Sequence, residues 1–264
     1  MNTKIKFFIR GILCNNFTGS LISQLFGNSI PDIRWKGYRF RLPPKGVSKT
    51  NIAAIFWGFY EAAEIRLIQK YLDGGTDVIE MGGSIGIVSG HIASKLQAGR
   101  KYISIEANPG LVDNITSNLK KFAKPGVEYK VLNYAVQYNT ETVVLHVSDN
   151  NTESRVGGSN EKQDGGVVVH AITLKDIINR EALKDFSLVC DIEGSEIEMI
   201  LFDAGALQNC KNLFIELHEV NYGGKYYSPD DILKKLLDEN RFTLIERHGP
   251  VCYLHRPDVL GNEE

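Results

Sequence analysis

The sequence predicts an α/β fold built on a mostly parallel sheet that ends in an antiparallel hairpin. From residue 77 onward, short apolar runs alternate with segments of helical length, an order typical of parallel strands joined by right-handed crossovers. A glycine-rich turn follows the first run, and two β-type runs joined at His248-Gly249-Pro250 end the series. These observations favour one α/β domain over residues 56–264, preceded by an N-terminal extension over residues 1–55.

The extension is predicted to open with an amphipathic helix followed by irregular chain. Apolar residues fall at positions i, i+3, i+4, i+7 and i+8, namely Ile5, Phe8, Ile9, Ile12 and Leu13. In one interpretation this face packs on its own domain or on a neighbouring subunit of a homo-oligomer. In the other, the basic helix makes a peripheral contact with a membrane surface. Residues 30–50 are rich in Pro, Gly, Arg and Lys, which indicates irregular structure with a short strand over 38–42.

The elements of the α/β domain follow from periodicity and stop signals. A helix over 58–72 repeats apolar residues four apart and stops at Asp73-Gly74-Gly75. Ser228-Pro229-Asp230-Asp231 supplies an N-cap, a proline and first-turn acids, and predicts a helix that ends near residue 239. The other predicted helices cover 85–96, 111–122, 174–179 and 196–202. The predicted strands cover 77–81, 102–105, 129–136, 187–190, 212–217, 242–246 and 251–255.

The alternation is interrupted once, by two β-type runs over 143–147 and 167–172. The polar segment 149–166 joins them, and connections of this length are usually functional or disordered. We expect a β-hairpin inserted into the order of the sheet.

Composition excludes several classes of protein. Of 264 residues, 43% are hydrophobic and 23% charged, so a disordered chain is not expected. A net charge of -2 gives no general attraction to nucleic acid or to an anionic membrane. The four cysteines include no pair two residues apart, which fits a reducing compartment. Neither a membrane-spanning stretch nor a signal peptide is predicted, and we expect a cytoplasmic protein.

The glycine-rich turn has the spacing Glu80-x-Gly82-Gly83-x-x-Gly86. It differs from the G-x-G-x-x-G of dinucleotide-binding folds, and its glycines let backbone approach a ligand closely. A tight turn without a ligand is the alternative. Glu106 ends the next strand, twenty residues after Gly86, where a carboxylate can accept hydrogen bonds from ribose hydroxyls. A surface acid at a strand end is the alternative for Glu106.

With these motifs the chain resembles the FkbM family of S-adenosylmethionine-dependent methyltransferases, within the Rossmann-like class I fold. The resemblance covers roughly residues 55–255. The matching stretches are residues 59–64 (Phe-Tyr-Glu-Ala-Ala-Glu), 78–86, 105–109 (Ile-Glu-Ala-Asn-Pro), 133–136 (Asn-Tyr-Ala-Val), 172–176 (Ile-Thr-Leu-Lys-Asp), 191–196 (Asp-Ile-Glu-Gly-Ser-Glu) and 215–218 (Ile-Glu-Leu-His). Two positions depart from the family pattern, since Glu80 stands where Asp is more usual and Gly83 replaces a usual Ala.

The resemblance implies a cofactor, S-adenosylmethionine, that leaves as S-adenosylhomocysteine, and it implies a set of residues that hold it. Residues near the methionine part would be Glu80, Gly82, Gly83, Ser84, Ile85 and Gly86. Glu106 would hold the ribose, with Ala107 beside it, and Asn108 and Ala135 would lie near the adenine. The acceptor would be a small molecule or glycan with a hydroxyl group, since members of the family often act on sugars, glycans and hydroxylated natural products.

Two residues that end adjacent strands are candidates for the chemistry of the transfer. A hydroxyl acceptor loses a proton, and we expect His218 to act as the base and Asp191 to orient the acceptor or the cofactor amine. A purely structural histidine is the alternative for His218. Asp191, Glu216 and His218 offer a hard divalent cation three ligands, an arrangement that we keep open without favouring it.

Two polar segments are candidates for the acceptor site, residues 150–155 and the run 222–227 (Tyr-Gly-Gly-Lys-Tyr-Tyr); each is equally compatible with a solvated loop. His91 is expected to be a partly exposed helix residue. A nicotinamide-dependent oxidoreductase and a non-catalytic cofactor-binding scaffold are the competing functions. The glycine spacing and the closing hairpin count against the oxidoreductase.

Overall fold

The computed structural model describes residues 9–35, 37–146 and 166–257, and the backbone of residues 155–157. The strands are β1 Ser29–Asp32, β2 Tyr38–Arg41, β3 Asp77–Met81, β4 Lys101–Ile105, β5 Glu128–Leu132, β6 Ala135–Val136, β7 Thr142–His146, β8 Arg155–Gly157, β9 Val167–Ile172, β10 Phe186–Cys190, β11 Cys210–Glu216, β12 Val220–Tyr222, β13 Lys225–Tyr227, β14 Thr243–His248 and β15 Val251–His255. The α-helices are α1 Asn16–Phe26, α2 Lys49–Phe56, α3 Ala62–Tyr71, α4 Ile87–Lys95, α5 Val112–Phe122, α6 Leu174–Glu181, α7 Glu196–Phe202 and α8 Pro229–Asp238.

A seven-stranded sheet forms the centre of the fold, in the order β14-β15-β11-β10-β3-β4-β5. Neighbouring strands from β11 to β5 run parallel, whereas β15 runs antiparallel to both β11 and β14. The predicted α/β class and the closing hairpin are therefore confirmed. Because the chain leaves β3 toward β4 on one side and returns to β10 on the other, the strand order reverses at β3. A crevice opens at the carboxyl ends of strands at such a reversal.

The interrupting β-segments lie in a separate sheet, in the order β6-β9-β7-β8. The expected hairpin strands β7 and β9 do pair antiparallel, with Val144 opposite Val168, but the expectation that they enter the main sheet order is wrong. The predicted strand 129–136 is likewise divided, since β5 stays in the main sheet and β6 pairs with β9. Asn133 causes this division, because its side-chain amide donates to the carbonyls of Glu106 and Ala107 and ends β5 there.

The N-terminal segment shares an apolar core with one face of the main sheet. Ile30 and Phe40 are fully buried and belong to the same cluster as Val78 and Ile92. A second cluster fills the opposite face. The predicted helix 58–72 is α3, which begins later, at Ala62, and the separate helix α2 ends before residue 58. The chain turns between them at Gly58, whose φ of 67° favours glycine. The division of the chain at residue 55 stays a prediction.

Two further expectations, on His91 and on the cysteines, can be compared with the structure. His91 is fully buried within α4, which corrects the expected partial exposure, and burial lowers its pKa to about 4. All four cysteines are buried and unpaired. Within the described part of the chain, no helix combines the length and the apolar character needed to cross a bilayer.

Candidate functional site

A cleft of about 740 Å³ opens at the carboxyl ends of β3, β4 and β10. The glycine turn after β3 forms one wall, and the chain after β10 forms another. The start of α3 and the small sheet supply the remaining lining. The position of the cleft is the one expected for a ligand site at a reversal of strand order.

The glycine turn lines the cleft with backbone. Gly82, Gly83, Ser84 and Ile85 face it, whereas Gly86 lies against α5. Gly82 and Ser84 both have positive φ, 93° and 47°. A Cβ on Gly82 would lie only 1.9 Å from the carbonyl oxygen of Asp191, so only glycine allows the turn to touch the end of β10.

Glu80 lies beneath this turn and not in the cleft. Its side chain is fully buried, and its Oε2 accepts hydrogen bonds from the hydroxyls of Ser89, Tyr102 and Ser104. Burial raises the pKa of its carboxyl. The side chain supports the turn from below, because three hydroxyls from α4 and β4 converge on it. The expected contact of Glu80 with a ligand stays a prediction.

Glu106 fixes the shape of the cleft at the end of β4. Its Oε2 accepts the backbone N–H of Ser84 at 2.7 Å, and its Oε1 accepts the backbone N–H of Asn108 at 2.7 Å. Burial raises the pKa of this carboxyl to about 7, and the two backbone donors oppose that rise. Each oxygen keeps a further lone pair that can accept from a hydroxyl in the cleft.

The three residues predicted near Glu106, namely Ala107, Asn108 and Ala135, differ in whether they line the cleft. Ala107 lines the cleft. Asn108 accepts the N–H of Gly110 and so shapes the following turn, and Ala135 is buried inside β6. Neither of them lines the cleft, where Tyr134 and Val136 take the place expected for Ala135. The change of sheet at Asn133 accompanies this arrangement, and the adenine contacts of Asn108 and Ala135 stay a prediction.

Asp191 and His218 lie together, but only Asp191 lines the cleft. The Nε2 of His218 is 3.8 Å from Oδ1 of Asp191, and its Nδ1 is 2.9 Å from Oε1 of Glu196, which is fully buried. The hydrogen bond with Glu196 raises the pKa of His218 to about 9. Burial, followed by the charges of Glu216 and Glu61, raises the pKa of Asp191 to about 8. Oδ1 of Asp191 is buried without a hydrogen-bond partner in the described part of the chain.

Glu61 and Glu64, at the start of α3, complete an acidic wall that sequence reasoning missed as site residues. Both line the cleft. Burial, then the charges of Asp191 and Glu61, raise the pKa of Glu64 well above its usual range. Glu64 is 4% exposed. The available signal was a pair of acids three residues apart at the start of a helix that is otherwise amphipathic.

Two overlapping sets of side chains could hold a cation. Asp191, Glu196 and His218 bring ligand atoms within 4.8 Å of one another, and so do Glu61, Asp191 and Glu216. The predicted set of Asp191, Glu216 and His218 does not occur as one group. Asp191 belongs to both sets, His218 to the first and Glu216 to the second. Because Nδ1 of His218 already bonds Glu196, the carboxylate set is the better ligand for a hard cation.

The candidate acceptor segments have different outcomes. Residues 222–227 form part of the β12–β13 hairpin. The cleft is lined by Glu219, which precedes β12, and by Val220 and Asn221, the first two residues of β12. Most of the other segment, residues 150–154, falls outside the described residues. The opposite rim carries Tyr138 and Asn139, and the Asn139 amide donates to the Tyr222 hydroxyl at 3.5 Å.

The family model described as the methyltransferase FkbM domain matches residues 82–244. No curated protein matches the sequence.

Among solved structures, magnesium protoporphyrin IX methyltransferase from Synechocystis, with S-adenosylhomocysteine bound, is 9% identical. The match covers 75% of this chain and 81% of that one, with a TM-score of 0.41. A provisionally assigned O-methyltransferase from Klebsiella pneumoniae is 10% identical, with 74% and 80% covered and a TM-score of 0.41. A provisionally assigned methyltransferase from Bacillus halodurans is 15% identical, with 70% and 71% covered and a TM-score of 0.40. Likenesses of this size carry no argument about activity.

Proposed function

The chain belongs to the FkbM methyltransferase family, and from this membership and the charge of the cleft we propose that it transfers a methyl group from S-adenosylmethionine to a hydroxyl group. The observation that carries the proposal is the wall of acids, Glu61, Glu64 and Asp191, facing a glycine turn that offers backbone. Neighbouring carboxylates that are buried or half-buried favour a cationic ligand. S-adenosylmethionine carries a sulfonium and an ammonium group, and when bound it supplies an electrophilic methyl group.

The residues of this chain would hold the cofactor from three sides. Gly82 to Ile85 bring backbone against the methionine part, and Glu106 accepts from the ribose hydroxyls through lone pairs that Ser84 and Asn108 leave free. Glu64 and Asp191 lie where a positive charge lowers the pKa of both carboxyls. Binding would therefore release protons from the acidic wall as the cofactor enters.

The proton of the acceptor hydroxyl passes to Asp191 in this proposal. His218 does not line the cleft, and with a pKa of about 9 it has no free lone pair on Nε2 at neutral pH. We therefore exchange the roles expected from the sequence, so that Asp191 is the base and His218 the group that orients it. The positive charge of His218 favours the ionised form of Asp191. The new oxygen–carbon bond forms as the sulfur–carbon bond breaks, and the proton goes to the Asp191 carboxylate.

The acceptor we propose is a sugar, a glycan or a hydroxylated natural product. The lining of the cleft includes Tyr60, Tyr134 and Tyr138 together with Gln137 and Asn139. Aromatic faces pack against the apolar faces of sugar rings, and amides bond their hydroxyls.

Calorimetric titration with S-adenosylmethionine, S-adenosylhomocysteine and NADH tests the cofactor. We expect binding of the first two and none of the third. Tight binding of NADH without binding of S-adenosylmethionine would sink the proposal. Isotope-labelled S-adenosylmethionine, offered with a panel of glycans and phenols, then tests the acceptor by mass spectrometry. A labelled methyl group on nitrogen or carbon instead of oxygen would contradict hydroxyl transfer.

A further inference from the structure

We propose that the N-terminal part of the chain docks on the surface of an anionic membrane. The docking surface consists of the exposed apolar row Phe17, Leu21 and Leu25 on α1, together with Ile12 and the exposed basic residues of the N-terminal segment. This inference is independent of the proposed transfer reaction, because none of these residues lines the cleft.

The opposite face of α1 is fixed to the protein. Gly19 packs so closely against α2 that a Cβ there would lie 1.8 Å from the carbonyl oxygen of Lys49, and Ile22 is buried. An N-terminal capping box at Asn15 and Thr18 holds the first turn. Since one face is held in this way, the row on the other face points away from the core.

The outward row is strongly apolar. Phe17 is 79% exposed and Leu25 is 68% exposed, and Leu21 between them is also exposed. The spacing of four residues places all three on one stripe of the helix. A contiguous apolar stripe that stays in water has no stabilising role in an isolated soluble domain and marks an interaction surface.

The charge around this stripe identifies the partner. Residues 1–60 contain nine Lys and Arg and a single acid, Asp32, whereas the remaining residues contain 21 Lys and Arg and 31 acids. Asp32 is buried, and its carboxylate accepts the backbone N–H groups of Arg34 and Trp35. The N-terminal segment therefore has a strongly positive surface although the whole chain has a net charge of -2.

Two of the exposed cations contact α1 on its packed face. Lys49 donates to the hydroxyl of Ser23 on α1 at 3.0 Å, and the Arg39 guanidinium lies 5.4 Å from the centre of the Phe26 ring. The exposed basic residues of the described segment are Arg10, Arg34, Arg39, Arg41, Lys45 and Lys49. A segment that combines an exposed apolar helix face with exposed cations has the chemistry of an interfacial element on anionic lipid. Two copies of the same surface would instead bring like charges together.

Sedimentation of the 264-residue chain with lipid vesicles tests this assignment. We expect binding to phosphatidylcholine vesicles that contain phosphatidylserine, little binding to phosphatidylcholine alone, and release at high salt. Combined substitution of Phe17→Ser, Leu21→Ser and Leu25→Ser should lower binding roughly tenfold or more. The matched control is Val168→Ser, since Val168 is equally exposed but lies in the small sheet. Arg39→Glu with Lys49→Glu should weaken binding to anionic vesicles as well.

Three results would overturn the proposal. The first is no binding to anionic vesicles by the unaltered protein, and the second is equal loss on Val168→Ser. The third is a dimer in size-exclusion chromatography that the triple serine variant converts to monomer, which would identify the stripe as a contact between copies. Circular dichroism and S-adenosylhomocysteine binding of the triple variant report on folding separately, so a failure of the transfer proposal leaves this test intact.

Discussion

The Nδ1 of His218 lies 2.9 Å from Oε1 of Glu196, a carboxylate with no solvent-exposed surface. The same imidazole directs its Nε2 toward Asp191 and Glu193, at 3.8 Å from each. A histidine among three acids is held in its protonated form. This pairing decides which residue at the cleft can accept a proton.

Glu196→Gln should lower the pKa of His218 from about 9 toward the ordinary value near 6.5. The reason is that the hydrogen bond with the Glu196 carboxylate is the largest cause of the raised pKa. Titration of the imidazole by NMR would measure the change. Glu193→Gln is the matched control, since Glu193 is more distant and exposed, and it should lower the pKa less. An unchanged pKa in the Glu196 variant would show that Asp191 and Glu193 hold the charge.

Asp191→Asn should lower kcat about 10²–10⁴-fold, because the acceptor hydroxyl loses its base. His218→Gln should lower it less and move the rising limb of the pH–rate profile to higher pH, since His218 holds down the pKa of Asp191. Profiles of kcat and kcat/KM for both variants would distinguish the roles. If the His218 variant is the more damaged one and loses the rising limb of the wild-type profile, His218 is the base.

Glu106→Ala should weaken S-adenosylhomocysteine binding by about 1–3 kcal/mol, because the ribose hydroxyls lose a charged partner. The substitution also removes the acceptor of the Ser84 and Asn108 N–H groups. Glu128→Ala is the control, since Glu128 is an exposed acid at the start of β5. Calorimetry that finds wild-type affinity would show that Glu106 is not the ribose ligand.

The protein without cofactor should lose stability as pH rises from weakly acidic to weakly basic values. In the folded state the pKa of Asp191 is about 8, and those of Glu61 and Glu106 are about 7. All three lie above the ordinary range, so the folded state binds more protons than the unfolded state and this contribution is lost as pH rises through 7 and 8. His218 acts in the same direction, since its pKa is raised to about 9.

Calorimetric melting between about pH 5.5 and about pH 9 would measure that slope. Glu61→Gln should make it shallower. A melting temperature that climbs across this interval would contradict the raised pKa values.

Activity should survive dialysis against a chelator. Glu61, Asp191 and Glu216 could hold a divalent cation, but in the proposed reaction the positive charge comes from the cofactor and the proton acceptor is a side chain. The measurement is the initial rate before and after chelation, with Mg²⁺ added back as the control. A loss restored by Mg²⁺ would establish the metal-dependent alternative.

Local sequence was sufficient to place the ends of the strands at the cleft. Glu106 directly follows β4 and Asp191 directly follows β10, each preceded by an apolar run, and both line the cleft. Such positions are readable because parallel strands share one carboxyl edge. The turn at Gly82 was readable for the same local reason.

The direction of other side chains depended on distant parts of the chain. Glu80 turns inward because Tyr102 and Ser104 on the neighbouring strand offer hydroxyls, and their positions relative to Glu80 are fixed only once β3 and β4 pair. Glu64 reaches Asp191 only because α3 packs where it does, 127 residues earlier in the chain. The protonation of His218 likewise depends on the buried Glu196. Nothing in the sequence around Glu196 indicates that it pairs with His218.

Gly82 has a consequence for how such proteins can diversify. The backbone of Gly82 lies directly against the backbone of Asp191, and no side chain takes part in this contact. The turn that would receive the donor is therefore in contact with the strand end that carries Asp191. Substitutions in the small sheet or in the β12–β13 hairpin can therefore change which acceptor fits without moving the donor relative to Asp191. Gly82 thus fixes the position of the donor turn relative to Asp191, while the small sheet and the β12–β13 hairpin are free to change the acceptor specificity.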